Sequence, residues 1–339
     1  MCILSICIPN YNRGKYLNNC LNSILLAKST SSLTFEICIS DNDSKDNILS
    51  IVNYYKKKGL VINYKSNNKN LGFGLNFYKV VKMAKGEFIW LIGNDDLLYP
   101  YALKKLQKLF YRNRDVDLFF INSSSLNSKF VFKHKQPFNT KKIPKIIDNF
   151  SKVKKSQKTE FFNLINPSVS WDFLLAMFLT IYRRKKFVKN LSLLNKKKLS
   201  DARVWSTIDN TVPHVKVFSS TFKDSKCYIQ AKPLSVNLFG EKGWSSIYPF
   251  IIIIRIPEIL DIYRKNGLPL IKYIIYKNYV LKKFIPYMYY IIKNRKHSNY
   301  KFISFRKNII NNIFYPSIYI FGFYYVIKKI YNQLLKIFK

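Results

Sequence analysis

The sequence predicts an α/β fold: a largely parallel sheet with helices on both faces, followed by a basic, aromatic-rich helical C-terminal region. Three observations carry that expectation. Short apolar, β-rich runs alternate with helical patterns four times within about a hundred residues, as in parallel strands joined by crossover helices. Polar clusters follow the carboxyl ends of three of these runs. From about residue 247 the alternation gives way to apolar and aromatic residues mixed with Lys and Arg.

Residues 3–9 (ILSICIP) read as a buried strand ended by Pro9, and the polar turn Asn10 to Gly14 follows. Leu17, Cys20, Leu21, Ile24 and Leu25 then recur at helical spacing, so that helix buries one face. Residues 35–40 (FEICIS) form a second strand that runs into Asp41-Asn42-Asp43-Ser44. Asp46 is placed to cap a helix carrying Ile48, Ile51, Val52 and Tyr55, and Gly59 stops it. Val61 to Tyr64 is a third strand. Asn70-Leu71-Gly72 opens a helix ending before Gly86, and residues 87–92 (EFIWLI) form a fourth strand leading into Gly93-Asn94-Asp95-Asp96. Residues 103–112 read as helix. Residues 116–121, 129–132 (KFVF), 227–230 and 234–238 read as strands. Between 135 and 215 no regular pattern emerges.

The 339-residue chain is 48% hydrophobic, enough for a sizeable core. Its formal net charge is +40. That charge favours a polyanionic partner, unless it reflects heavy use of Lys, Asn and Ile on solvated faces. Cys2, Cys7, Cys20, Cys38 and Cys227 show no CxxC pairing. They read as buried reduced thiols, which points to a reducing compartment. No charged segment precedes a long apolar stretch at the N-terminus, so no signal peptide is read and a cytoplasmic location is expected.

The Gly93-Asn94-Asp95-Asp96 turn is the sharpest chemical feature. Two adjacent carboxylates repel unless a positive charge stands beside them. A divalent cation, Mn²⁺ or Mg²⁺, supplies that charge and shares its coordination with phosphate oxygens. The rival reading is a helix N-cap, since Asp96 precedes Pro100 and a helix. Arg13 either reaches a phosphate or stabilises its turn. In doubly wound sheets ligands bind where strands end, and all three polar clusters fall there.

Four blocks, SICIPNYNR, ISDNDSKDN, NKNLGFGLN and KGEFIWLIGNDDLLYP, resemble in order and spacing the donor half of family 2 glycosyltransferases with the GT-A fold. The resemblance spans about residues 3 to 108. Within that family the chain resembles the abequosyltransferase-like enzymes that build bacterial surface polysaccharides. It implies an inverting transferase moving a sugar from a nucleotide-sugar donor to a hydroxyl of a glycan, with a divalent cation as cofactor.

The resemblance also implies roles at matching positions. Pro9, Asn10 and Tyr11 would line the base and ribose pocket. Asp41 would hold the nucleobase edge, flanked by Asn42 or Asp43. Asn70, Gly72 and Asn76 would line the donor pocket, with Arg13, Asn94 and Asp95 on the same side. Asp95 and Asp96 would be the metal aspartates. Where family members often carry Asp-x-Asp-Asp, this chain has Gly93 at the first position. An inactive, scaffold-like member is the alternative which that departure suggests.

The acceptor half resembles the family less. Inverting transfer needs a base for the acceptor hydroxyl. Asp209 and Asp201 are the candidates, in the stretch LSDARVWSTIDNTVPHV that also holds His214, and Asp172 is a further one. Trp244 stands either against donor or acceptor or in the core. The expected organisation is a GT-A domain over 1–245, with its donor half to about 110 and its acceptor half from 111, then a helical region over 246–339.

Residues 247–256 and 309–327 are strongly apolar and aromatic, and after 247 the only acidic residues are Glu258 and Asp261. Interfacial helices on an anionic inner-membrane surface fit this composition. A spanning helix and a subdomain packed on the catalytic core are the alternatives. Membrane attachment would suit a lipid-linked glycan acceptor. No zinc spacing, RNA-recognition signature or helix-turn-helix pattern is present, so nucleic acid is not an expected partner.

Overall fold

The sheet is completed by strands that the sequence pattern does not announce. A computed structural model describes residues 2–170, 175–240 and 245–337. The chain folds as two compact units, Met1–Glu241 and Lys242–Lys339. The first begins with β1 (Leu4–Asn10), α1 (Gly14–Lys28), β2 (Phe35–Asp41), α2 (Ile48–Lys57), β3 (Ile62–Ser66), α3 (Gly72–Met83) and β4 (Phe88–Leu91). It continues through β5 (Asp96–Leu98), α4 (Ala102–Arg112), β6 (Leu118–Asn127), α5 (Ser128–Phe132), β7 (Gln157–Glu160) and β8 (Thr180–Arg183). It closes with α6 (Ile208–Thr211), α7 (His214–Thr221) and β9 (Lys226–Phe239).

These strands form one nine-stranded sheet in the order β3-β2-β1-β4-β8-β6-β9-β5, with β7 also pairing β9. β3, β2, β1 and β4 are mutually parallel, and β6 and β9 are parallel. β8 runs antiparallel between β4 and β6, so the sheet is mixed but mostly parallel at its donor end. Alternation along β1 explains the layers. Ile6 and Ile8 enter a core shared with Leu17, Leu21 and Ile24 of α1, Val52 of α2 and Leu103 and Leu106 of α4. Cys7, on the other face, has its thiol 3.7 Å from the Val80 carbonyl of α3.

Three local expectations change. Residues 129–132, read as a strand, lie in α5. The Asn127 side chain accepts from Lys129 N and so starts a helical turn despite the β-rich letters. The two strands read at 227–230 and 234–238 are one, β9. Pro233 falls where the register against β6 shifts between Ile121 and Ser123, a bulge that tolerates a residue with no N–H. Asp46 does not cap the helix that follows it. Its Oδ2 accepts from Gly14 N at 2.6 Å, at the start of α1, while Asn47 precedes α2 without a side-chain cap.

The second unit is helical: a π-helical segment (Ile251–Arg255), α8 (Ile256–Lys265), α9 (Leu270–Leu281), α10 (Phe284–Lys293), a second π-helical segment (Phe305–Ile310) and α11 (Pro316–Ile337). Phe250, Ile253, Ile254, Ile259, Leu260 and Tyr263 are buried. Among the described residues no helix is long and apolar enough to cross a membrane.

Candidate functional site

Register brings the first polar clusters level: Asn10 stands beside Asp41, and Asp41 beside Ser66. The backbone continues the pairing past the strands, with Asn42 N donating to Asn10 O and Asn67 N to Asp41 O. The buried Asp41 carboxylate accepts from Asn10 Nδ2 at 3.1 Å, Ser44 Oγ at 2.5 Å and Tyr64 OH at 3.1 Å. Burial pushes the Tyr64 hydroxyl pKa up, and the Asp41 charge adds to it. That phenol therefore stays a donor at neutral pH. Tyr11 is 44% exposed beside this cluster, and Pro9 precedes it on β1 at intermediate burial. Asp43 sits at φ 66° and pairs with Lys45 on the surface.

A relay of amides continues toward α3. Asn42 Nδ2 donates to Asn70 Oδ1 at 2.6 Å. Asn67 Nδ2 donates to Asn42 Oδ1 and Asn76 Oδ1, each at 3.2 Å. Asn76 Nδ2 donates to the carbonyls of Ser40 and Asn10. Gly72 N donates to Asn70 Oδ1 at 2.9 Å, which fixes the start of α3. Lys79 Nζ closes the relay on Asn67 Oδ1 at 2.7 Å. Asn42, Asn67 and Asn76 are buried with their partners supplied, which holds one geometry, while Asn70 is exposed.

The third cluster joins through Asn94, whose Nδ2 donates to Asn10 Oδ1 at 2.7 Å. Asp96 is not a helix cap. It opens β5 and is buried, with Oδ2 accepting from Gly93 N at 2.6 Å and Oδ1 from Asn237 Nδ2 at 2.8 Å. Asp95 keeps 15% side-chain exposure and faces Arg13 Nη1 at 3.7 Å. A Cβ at position 93 would run into Asp95 Oδ1 and stand 3.1 Å from Asp96 Oδ2. The glycine that departs from the family pattern is thus what lets both carboxylates fold back over the turn. Burial raises the Cys20 thiol pKa well above its usual value, and Asp96 and Asp95 raise it further.

The acceptor-side candidates separate. The loop from Leu199 to Asn210 rests on the first turn of α3. A Cβ at Gly74 would stand 2.8 Å from Leu199 O, and one at Gly72 would stand 3.4 Å from Ala202 Cα. Asp201 is in this loop, with 18% side-chain exposure. Its carboxylate accepts from Arg203 Nε and Nη2 and from Ser206 Oγ at 2.7 to 2.9 Å. The Arg203 contacts hold its pKa well below the usual carboxylate range. Asp209 is buried, accepts from Asn195 N at 3.0 Å and pairs with Lys216. His214 is fully buried against Phe218, and neither ring nitrogen has a hydrogen-bond partner. Burial pushes its pKa down to about 3. Asp172 and Trp244 lie outside the described residues.

Among the described residues no three His, Cys, Asp or Glu side chains converge as a ready metal cage. Mg²⁺ and Mn²⁺ commonly take one or two carboxylates together with substrate phosphate oxygens. The partly exposed Asp95 carboxylate fits that mode. Asp96, with both oxygens accepting from the protein, fits a role in holding the turn. Sequence reasoning missed Ser44, Tyr64, Asn67, Lys79 and Asn237. Ser44 stood in plain view inside the Asp41 cluster. The Asn237–Asp96 bond links residues 141 apart in sequence, and no local pattern marks it.

A sequence profile described as Glycosyl transferase family 2 matches residues 5–174. Abequosyltransferase RfbV of Salmonella typhimurium is 28% identical over 276 residues, 78% of this chain and 76% of that protein. The poly(ribitol-phosphate) beta-glucosyltransferase of Bacillus spizizenii is 35% identical over 102 residues, 30% of this chain but 16% of that protein. Among solved structures, S. aureus TarS 1–349 in complex with UDP is similar with a TM-score of 0.56 at 17% identity, over 83% of this chain and 71% of that one. That likeness is one of fold.

Proposed function

Because the chain belongs to glycosyl transferase family 2, it is a sugar-transferring enzyme on the GT-A fold, and we propose that its donor is a nucleoside diphosphate sugar held across the ends of β1 and β2 and the turn after β4. The observation that carries this reading is the single hydrogen-bonded network running Asn94–Asn10–Asp41–Tyr64. It makes one preformed polar floor out of three clusters separated in sequence. Asp41 takes the nucleobase edge, and Tyr11 covers the base. Asn42, Asn70, Gly72 and Asn76 line the sugar side. Arg13 takes the diphosphate.

A divalent cation at Asp95 would neutralise charge on the departing diphosphate. Asp96, Gly93 and Asn237 hold the turn that presents Asp95. Asp201 is the acceptor base in this reading, because it is partly exposed in the loop against α3, whereas Asp209 is buried in an ion pair. Both Asp201 oxygens accept from Arg203 and Ser206, so the Arg203 clamp has to open for Asp201 to take the proton. The acceptor oxygen attacks the anomeric carbon from the face opposite the diphosphate. A new C–O bond forms as the bond to the leaving group breaks with its electron pair, and the hydroxyl proton passes to Asp201. The configuration inverts.

The acceptor is a glycan of bacterial surface polysaccharide, carried on a lipid at the inner membrane face, where the basic second unit holds the enzyme. The relative named abequosyltransferase and the resemblance of the donor motifs support this class of product. Titration calorimetry with UDP, CDP, GDP and dTDP, with and without Mn²⁺, tests the donor assignment. Metal-dependent binding of one nucleotide, lost in Asp95→Ala, is expected. If no nucleotide binds under either condition, the donor assignment fails.

A further inference from the structure

Charge and apolar exposure are arranged in the second unit in a way its own packing does not require. From 246 to 339 it carries seventeen Lys and Arg against two acids, Glu258 and Asp261. Both acids point into internal networks. Glu258 pairs with Arg255 at 2.6 Å and Lys307 at 3.1 Å and accepts from Asn308. Burial pushes Glu258 up in pKa, but Arg255, Asn308 and Lys307 outweigh it and hold the group charged. Asp261 pairs with Lys277 at 2.8 Å and accepts from Tyr273. Apart from this internally paired set, every remaining charged side chain of the region is cationic.

Apolar residues left uncovered occur throughout the unit, and the largest group of them is on α11. On α11, Tyr319, Ile320, Phe323, Tyr324, Ile327, Ile330, Tyr331 and Leu334 are all between 47% and 70% exposed. Their spacing repeats at three and four residues, so they fall on one stripe of the helix. Ile318 and Gly322 turn the opposite way: Ile318 is buried, and a Cβ at Gly322 would meet Ile285 of α10. Lys328 borders the stripe, while Lys329 is on the side turned to α10, its Nζ over the Tyr289 ring at 4.3 Å. On α9, Leu270, Ile271, Ile274 and Ile275 form a second uncovered stripe, and Phe305 and Phe314, at 70% and 79% exposed, project from the segment between α10 and α11. Taking about half of a roughly 200 Å² side chain for each residue of the α11 stripe gives on the order of 800 Å². Soluble surfaces rarely leave that much apolar area contiguous.

We propose that the α11 stripe is the surface by which this enzyme lies in the interface of an anionic phospholipid bilayer. Aromatic side chains prefer the headgroup level, and basic side chains flanking an apolar stripe meet anionic lipid. The single sign of the charge selects this occupant over a second copy of the chain, since two such faces would bring like charges together. The two lysines in the middle of α11 fit a helix in the membrane plane rather than across it. This deepens the membrane attachment proposed above and rests on it.

The test is flotation of the full-length protein with phosphatidylcholine vesicles, with and without phosphatidylglycerol, at low and high salt. Binding is expected only with the anionic lipid and is expected to weaken with salt. The triple change Ile320→Ser, Phe323→Ser, Tyr324→Ser is expected to lower that binding roughly tenfold or more. It should leave the melting temperature unchanged, because all three side chains are exposed. Tyr111→Ser, at an exposed aromatic of the first unit, serves as control and should bind like wild type. Equal flotation of the triple variant and wild type would overturn the assignment of this face while leaving membrane attachment intact. Failure of the wild type to float with either lipid would overturn membrane attachment itself. A dimer in light scattering that the triple change dissociates, with vesicle binding unaltered, would make the stripe a contact between copies and overturn the proposal.

Discussion

Asn10 Nδ2 donates to Asp41 Oδ1 at 3.1 Å, tying the last residue of β1 to the last residue of β2. The same side chain accepts from Asn94 through Oδ1, so one amide joins the three polar clusters. Asn10→Ala should leave the buried Asp41 and Asn94 groups short of partners. The expected loss is about 1–3 kcal/mol of stability and roughly a tenfold loss of nucleotide affinity. Urea unfolding read beside calorimetry checks both, and unchanged nucleotide affinity would remove Asn10 from the donor floor.

Gly93→Ala should displace Asp95, because the new methyl would occupy the space of its carboxylate. Mn²⁺-dependent nucleotide binding should weaken by about 1–3 kcal/mol, the range of an overpacking strain. Gly93→Asp, which restores the family's usual letter, should be no better in this turn. A Gly93→Asp enzyme with higher metal affinity than wild type would show that the turn can reopen.

Asp201→Asn and Asp209→Asn should fail differently. The first should lower kcat by roughly a hundredfold to ten-thousandfold while nucleotide affinity holds. The second should cost about 2–4 kcal/mol of stability by leaving Lys216 without its buried partner. Because Arg203 holds Asp201 below the usual carboxylate range, the base stays deprotonated into acid. The acid limb of the kcat profile should therefore lie below the usual carboxylate range wherever the fold survives. A full-rate Asp201→Asn enzyme would move the base elsewhere.

His214 predicts how the fold responds to acid. Its folded pKa is about 3, against about 6.5 in an unfolded chain. Below about pH 6.5 the unfolded state binds the extra proton, so stability falls as pH drops toward 3. The slope approaches about 1.4 kcal/mol per pH unit. His214→Phe should remove that component and raise stability at pH 5 relative to wild type. Urea midpoints of both proteins at neutral pH and pH 5 make the comparison, and parallel losses would assign the acid sensitivity to other groups.

The donor side was legible because its strands are short apolar runs and three of them end in a polar cluster. The runs fixed β1, β2, β3 and β4, and parallel pairing then brought Asn10, Asp41 and Asn94 together. β8 was not legible. Its four residues, Thr180–Arg183, carry no period of their own, and they are strand only because β4 and β6 supply both edges. The same limit hid the roles of the acids. Asp96 receives Asn237 from a strand far along the chain, and Asp209 receives Lys216 from the next helix. The Arg203 clamp on Asp201 is only two residues away, so that signal was present in the letters.

The position of β8 bears on how the chain can be made and cut. Four parallel strands are complete by residue 91, yet β4 gains its second neighbour only with residues 180–183, and the Trp90 indole donates to the Phe178 carbonyl. A piece ending near residue 110 would leave Phe88, Ile89, Trp90 and Leu91 along an open sheet edge, a template for pairing with other chains. On the ribosome, the donor floor therefore waits for nearly twice its own length of chain to emerge, and the interval is one in which a chaperone has a defined surface to cover.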